Sequence, residues 1–219
     1  PELSVINMFV ESSRTDEVVM QSRKGLVLGS TVGTGPIRGK FQKDGVLSGS
    51  TFVVSNLTLY KDGVSLGTIT GSGPVYMVGI EDELLVCAGA GLWSYNGTNL
   101  AAVTFPDTAN VTAVAYSNGY FLALRALTGQ WYFSTLYDGR TWDGLDFATA
   151  ESEPDQLLDV LVLDGNPVFF GAESIEFWAS TGDADAPFAP IQQRVFEQGI
   201  FATGCAVQVD NSFYWLGAD

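Results

Sequence analysis

Four carboxylates, Glu151, Glu153, Asp155 and Asp159, crowd one short stretch and form the densest acidic group in the chain. Paired carboxylates can cleave glycosidic bonds or hold calcium. Here no Asp-x-Asp-x-Asp-Gly loop accompanies them, and the stretch has the composition of a solvated connection, so neither chemistry is expected. Asp183-Ala184-Asp185-Ala186-Pro187 reads likewise as an ordinary flexible loop. Arg125, Arg140 and Arg194 could grip a carboxylate if they met, but each lies in a different local setting and no Tyr-Glu nucleophile accompanies them. They read as scattered surface arginines. Gly33 to Lys40, GTGPIRGK, has glycines and a lysine, yet the spacing is not that of a phosphate loop and Phe41 replaces the hydroxyl that would hold magnesium. It is expected to be a glycine-rich corner.

Histidine is absent, which removes the usual general base and the commonest metal ligand at neutral pH. The two cysteines, Cys87 and Cys205, sit in apolar runs where a thiol serves as a small buried hydrophobe, and no disulfide is expected. No catalytic, cofactor-binding or metal-binding residue is therefore assigned. Twenty-five acidic against ten basic residues leave a formal charge of -15, and no run gathers a basic face, so sequence-specific nucleic-acid binding is not expected. No apolar run reaches the ~18 residues of a membrane span. Pro1 to Glu17 lacks a basic head and an apolar middle, so no secretory route is expected. The acceptor-like triplets at Asn56, Asn96 and Asn110 then read as turn asparagines.

What must position these residues is a chain of short strands. With 46% hydrophobic and 12% aromatic residues, 219 residues can build a sizeable core. From Pro1 to about Gly45 the pattern is irregular and reads as an extended lead-in with a few short strands. From 46 to 219 the punctuation is regular: apolar runs alternate with turn signals at Gly63, Asn96-Gly97, Asp138-Gly139 and Asp164-Gly165. Val75, Val111, Leu158 and Ala206 open equivalent units, in steps of 36, 47 and 48 residues. Each unit holds about four strands, the signature of propeller blades. Opening strands such as LLDVLVL are apolar almost throughout, as a strand packed on both faces requires, whereas Ser174 to Trp178 alternates. Glu151 to Leu158 could form one helical turn. The expectation is an all-β, propeller-like array of four-stranded antiparallel blades. About four and a half are present, an incomplete array truncated at the C-terminus unless the lead-in strands complete the last sheet. Unclosed strand edges favour association.

Trp131 to Leu136 reads as a strand, with Asp138-Gly139 as the tight turn into the next. The order Thr135-x-Tyr137-x-Gly139-x-Thr141-Trp142 resembles the Asp-box of sialidase-like propellers, S-x-D-x-G-x-T-W, with Tyr137 in place of its aspartate. In those folds the box is a turn device between outer strands, so it speaks of architecture. The aromatic residues could offer sugar-stacking platforms, but at strand spacing they fill space between blades. A propeller that binds or cleaves glycans is the alternative reading.

Several blocks occur in collinear order: SVINMFVE, GPIRGKF, the Leu59 to Gly63 hairpin, Thr70 to Val75, TWDGLDFATAESEPDQ, FFGAESIEFWASTGDADAPF, and Glu197-Gln198-Gly199-Ile200 through Phe213 to Gly217. Together they resemble the phage packaged-DNA stabilisation proteins, the tail hub or tail accessory factors of P22-like short-tailed phages. That resemblance implies a non-enzymatic virion component, assembled in the host bacterial cytoplasm and carried in the tail. It implies a homo-oligomeric ring of six copies below the portal-side adaptor, a longer DNA exit channel, and a seat for the tail needle or spike. Family members continue past Asp219, the point where this chain stops.

Overall fold

A computed structural model of the chain describes residues 8–12, 18–22, 25, 28–89, 91–108, 110–150 and 155–217. Two compact units divide between Thr31 and Val32. In the first, β1 (Met8–Ser12) and β2 (Val18–Ser22) form an antiparallel hairpin, Met8 opposite Ser22.

The second unit repeats one plan. Blade I is β3 (Ile37–Phe41), β4 (Phe52–Ser55), β5 (Thr58–Lys61) and β6 (Val64–Thr68). Blade II is β7 (Val75–Gly79), β8 (Leu84–Ala88), β9 (Gly91–Tyr95) and β10 (Leu100–Ala102). Blade III is β11 (Val111–Ser117), β12 (Tyr120–Arg125), β13 (Gln130–Phe133) and β14 (Phe147–Thr149). Blade IV is β15 (Leu157–Leu163), β16 (Asn166–Gly171), β17 (Ile175–Ser180) and β18 (Phe188–Phe196). A two-stranded sheet V, β19 (Ala206–Val209) with β20 (Ser212–Trp215), follows.

Each blade is an antiparallel meander, strand pairing with the next in sequence. The opening strands β3, β7, β11, β15 and β19 touch one another in succession, which sets them side by side along a common axis. The steps read from Val75, Val111, Leu158 and Ala206 are thus the spacing of inner strands, the third beginning one residue earlier, at Leu157.

Side-chain alternation explains how one sheet serves two neighbours. In β8, Leu84, Val86 and Ala88 join Phe52, Val54 and Leu59 of blade I, while Leu85 and Cys87 join Phe121 and Ala123 of blade III. In β12 the other set, Leu122 and Leu124, turns to Val160 and Phe169 of blade IV. Val168, Phe170 and Ile175 then pack on Phe213 and Trp215 of sheet V. Successive residues fall in different cores, so a strand buried on both faces must read as a continuous apolar run.

Three differences from the sequence reading have physical reasons. The division placed at residue 45 falls between β3 and β4 of one sheet. β3 escapes notice because Gly39 lies in it: a Cβ there would stand 2.6 Å from the Val75 carbonyl oxygen, so the close approach of two inner strands demands a residue without β-propensity. Trp131 to Leu136 is not all strand, since β13 ends at Phe133 and a loop runs to β14. The single turn of helix considered for Glu151 to Leu158 lies partly outside the described residues, and from Leu157 the chain is strand.

Candidate functional site: an interblade clasp and an acidic turn end

The loop from Ser134 to Asp146 joins the third and fourth strands of blade III. Its geometry corrects the expectation of a tight Asp138-Gly139 hairpin, because neither residue is left-handed. The positive φ, 57°, belongs to Tyr137, whose N–H donates to the Gly119 carbonyl at 2.7 Å. Tyr137 occupies the position of the box aspartate, yet Asp138 performs the ordering. One Asp138 oxygen accepts from the Arg140 N–H and the other from the Thr141 hydroxyl, both at 2.8 Å. Thr135 N–H donates to the Thr141 carbonyl at 3.0 Å, closing the loop, and Trp142 Nε1 donates to the Gly139 carbonyl at 2.8 Å. The Trp142 ring then lies edge-on to Phe105, with centroids 5.3 Å apart.

This loop grips blade II through Glu83, in the turn between β7 and β8. Glu83 is only 6% exposed, so its carboxylate must be satisfied by the protein. Gly139 N–H donates to Oε2 at 2.9 Å, the Ser94 hydroxyl donates to Oε1, and Arg140 Nε stands 3.8 Å from Oε1. Arg140 Nε also donates to Ser94 Oγ at 3.0 Å, and Nη2 to the Asn99 carbonyl at 3.0 Å. A Cβ on Gly139 would meet Phe121 at 3.2 Å and Glu83 at 3.3 Å, which is why glycine stands there. Composition cannot reveal this clasp: Glu83 sits in an acidic turn, Glu81-Asp82-Glu83, that looks solvated.

The other turn residues sort by geometry. Asp62-Gly63 and Asp164-Gly165 are two-residue hairpins with both residues left-handed, as is Asn118-Gly119. Asp62 also accepts from the Thr51 N–H at 2.8 Å, and that hydrogen bond, with help from Ser50 and Lys61, holds its carboxyl below the ordinary value. Asn96-Gly97 opens a longer turn, with Asn96 Oδ1 accepting from the N–H groups of Thr98 and Asn99. Inner turns of successive blades meet. Leu47 N–H donates to the Glu81 carbonyl at 2.8 Å, and Asn118 Nδ2 to the Gly165 carbonyl at 2.7 Å. Glu81, Asp82, Tyr116 and Tyr137 line a cleft of about 790 Å³ at this end. Burial first, then Tyr137 and Asp82, raises the Tyr116 phenol.

The acidic stretch does not converge. Glu151 and Glu153 lie outside the described residues. Asp155 accepts from the Glu173 and Ser174 N–H groups at 2.6 and 3.0 Å, capping the turn between β16 and β17. Asp159 is buried, accepting from the Val160 N–H at 2.9 Å and the Gly204 N–H at 3.0 Å. Burial pushes its carboxyl up to about 6 despite both hydrogen bonds. Tyr76, raised by burial and then by Asp159, Cys87 and Cys205, shares this region. Both cysteines are free, and burial pushes the Cys87 thiol up to about 12, which leaves it inert. Among the described residues no group of three or more acidic or cysteine side chains comes together to hold a metal ion. Nor is any helix among them long and apolar enough to cross a membrane.

The three arginines are separate. Arg125 donates to Gln130 Oε1 at 2.6 Å, Arg140 belongs to the clasp, and Arg194 lies on Phe177, its Cζ 5.8 Å from the ring centroid. Gly33 to Lys40 makes a corner and then β3. Arg38 there donates to the carbonyls of Gly73 and Asn56 at 2.7 and 2.9 Å, a structural bridge rather than a phosphate grip.

A family model described as "Bacteriophage P22 Gp10, beta-propeller" matches residues 5–219, a span that includes every sheet. The chain belongs to the phage stabilisation family. Its four-stranded sheets are therefore blades of a β-propeller, and the clasp is a device between two of them. A comparison with curated protein sequences finds no match. Solved structures of similar fold include a computationally designed protein, Ika8, at TM-score 0.50 and 11% identity, covering 80% of this chain and 56% of that one. The extracellular domain of a one-component system from B. thetaiotaomicron aligns at TM-score 0.55 and 9% identity, covering 88% and 27%. Virginiamycin B lyase from Staphylococcus aureus aligns at 0.52 and 10%, covering 96% and 70%. This stabilisation-family chain thus spans about half of the first and about a quarter of the second, and at such identities the likeness is one of fold.

Proposed function

We propose that the chain is a structural component of a short-tailed phage tail. In this reading six copies form a ring below the portal-side adaptor, prolong the DNA exit channel, and seat the tail needle or spike. The observation that carries it is the family match across residues 5–219. Packed blades supply a stiff wall, and Asp44, Glu81, Asp82 and Asp164 put negative charge on the inner turns, which repels a polyanion rather than binding it. Retention of packaged DNA then rests on contacts between subunits and on the plug they hold. No bond-making step is assigned to any side chain. The test is a particle made without this chain. It should lose packaged DNA to nuclease after packaging, regain protection when the purified chain is added, and show a ring of six in electron micrographs of assembled tails. Particles that keep their DNA without it, or virions lacking the polypeptide, would end the proposal.

A further inference from the structure

The outer edge of blade IV departs from the plan of the other blades. In the β17–β18 ladder Trp178 faces Pro190 and Glu176 faces Val195, so Phe177 stands opposite a bulge in which Ile191, Gln192, Gln193 and Arg194 have no partner residue. Gln193 is left-handed at φ 63°, a conformation that costs a non-glycine side chain energy and is kept where the surroundings impose it. β18 is the last strand of its sheet, so the bulge lies on an open edge. Two clefts of about 430 and 440 Å³ flank it, sharing Phe177, Ile191, Gln193, Arg194 and Val195.

Arg194 is set apart from the other arginines described in the blades. Arg38, Arg125 and Arg140 each donate to a protein oxygen, but Arg194 is exposed and, among the described residues, makes no hydrogen bond or ion pair. Its contact is the Phe177 ring, itself tilted against Phe196 with centroids 5.8 Å apart. A guanidinium held over a ring and given no protein acceptor keeps its N–H donors free, and that planar fork takes a carboxylate bidentately.

We infer that this bulge binds an extended peptide segment that carries one carboxylate between apolar residues. The carboxylate takes the Arg194 fork, the flanking side chains enter the two clefts against Phe177 and Phe196, and the open-edge backbone of Ile191 to Arg194 meets that of the segment. Charge limits the ligand further. Asp164 lines one cleft and Glu176 the other, with Glu176 accepting from Trp178 Nε1 at 3.1 Å. One acid is matched by Arg194, and a second would meet these carboxylates. A nucleic acid is disfavoured for the same reason, since a single arginine in an acidic sheet cannot neutralise a run of phosphates. The inference stands on the geometry of the single chain and does not rest on the tail assignment.

The experiment titrates the purified chain into a fluorescein-labelled, end-blocked peptide, Gly-Thr-Val-Thr-Glu-Thr-Val-Thr-Gly, and into its Gln counterpart, and reads anisotropy. The Glu peptide should bind about tenfold more tightly than the Gln peptide, in line with a charge-assisted bidentate contact. Arg194→Gln should bring the two within about twofold, and Arg194→Lys should retain about threefold, the charge without the fork. Near-UV circular dichroism checks that these surface variants keep the native fold. No binding of the Glu peptide, equal binding of both peptides, or an Arg194→Gln chain that still discriminates would overturn the inference. So would binding of free glucuronate in place of the peptide.

Discussion

Blade III meets its two neighbours by different means. Against blade IV the core of the seam is aromatic, with its side-chain polar tie at the inner turns, where Asn118 meets Gly165: Trp131 stacks on Phe169 at 4.6 Å and stands edge-on to Trp178 at 5.2 Å, with Phe133 and Phe188 around it. Against blade II an apolar core also exists, but its rim is closed by the Glu83, Ser94 and Arg140 clasp. The aromatic seam draws on area removed from water and tolerates small errors of angle. The clasp fixes one geometry, because a buried carboxylate with its partners displaced is costly. The aromatic seam supplies adhesion, and the clasped seam supplies register.

Three measurements sharpen or break that contrast. Trp131 is 1% exposed, so Trp131→Ala should cost about 3–5 kcal/mol in urea unfolding, the range for truncating a buried aromatic. A loss below about 1 kcal/mol would mean that the aromatic seam is not where the adhesion lies.

The second concerns Asp159, whose carboxyl is held at about 6 against an ordinary 3.8. The folded chain binds this proton more tightly than the unfolded chain. Its contribution to stability is fully present below the ordinary carboxylate range and is lost as pH rises through about 6. Relative to Asp159→Asn, the native chain should therefore gain stability on going from pH 7 to pH 4, by at most about 3 kcal/mol. Parallel pH profiles for the two proteins would show that the buried carboxylate is not strained.

The smallest expected effect is that of the clasp. Glu83→Gln keeps the shape and removes the charge, and should cost about 2 kcal/mol. Arg140 has 35% of its side chain exposed and is partly screened by solvent, so a double-mutant cycle with Arg140→Gln should give a coupling of about 1 kcal/mol. Additive losses would reduce the clasp to two independent contacts.

The two seams also differ in how well they could be read from sequence. Runs such as Leu157–Leu163 and Leu84–Ala88 announce burial on both faces, and turns such as Asp164-Gly165 fix where one strand ends, so the first two strands of blades II to IV were legible. Blade I was half hidden, because the close approach at Gly39 places a glycine where a strand signal should stand. The clasp was illegible for another reason. Glu83 and Ser94 belong to blade II and Gly139 to blade III, and no local pattern distinguishes an acid that will be buried from one in solvent. The fate of Arg194 was likewise unreadable, since it depends on where the β18 ladder slips.

The displaced acid of the blade III loop has a practical consequence. Asp138 makes its two turn-closing bonds from one residue beyond the usual place, while Tyr137 spends its backbone N–H on Gly119 of the adjoining hairpin. A search pattern written with fixed spacing would pass over such a loop although every bond is made. Deleting Tyr137 to bring the acid to the third place would pull Gly139, Thr141 and Trp142 out of theirs and cut the tie to that hairpin, so a repair made to the motif on paper would loosen the protein.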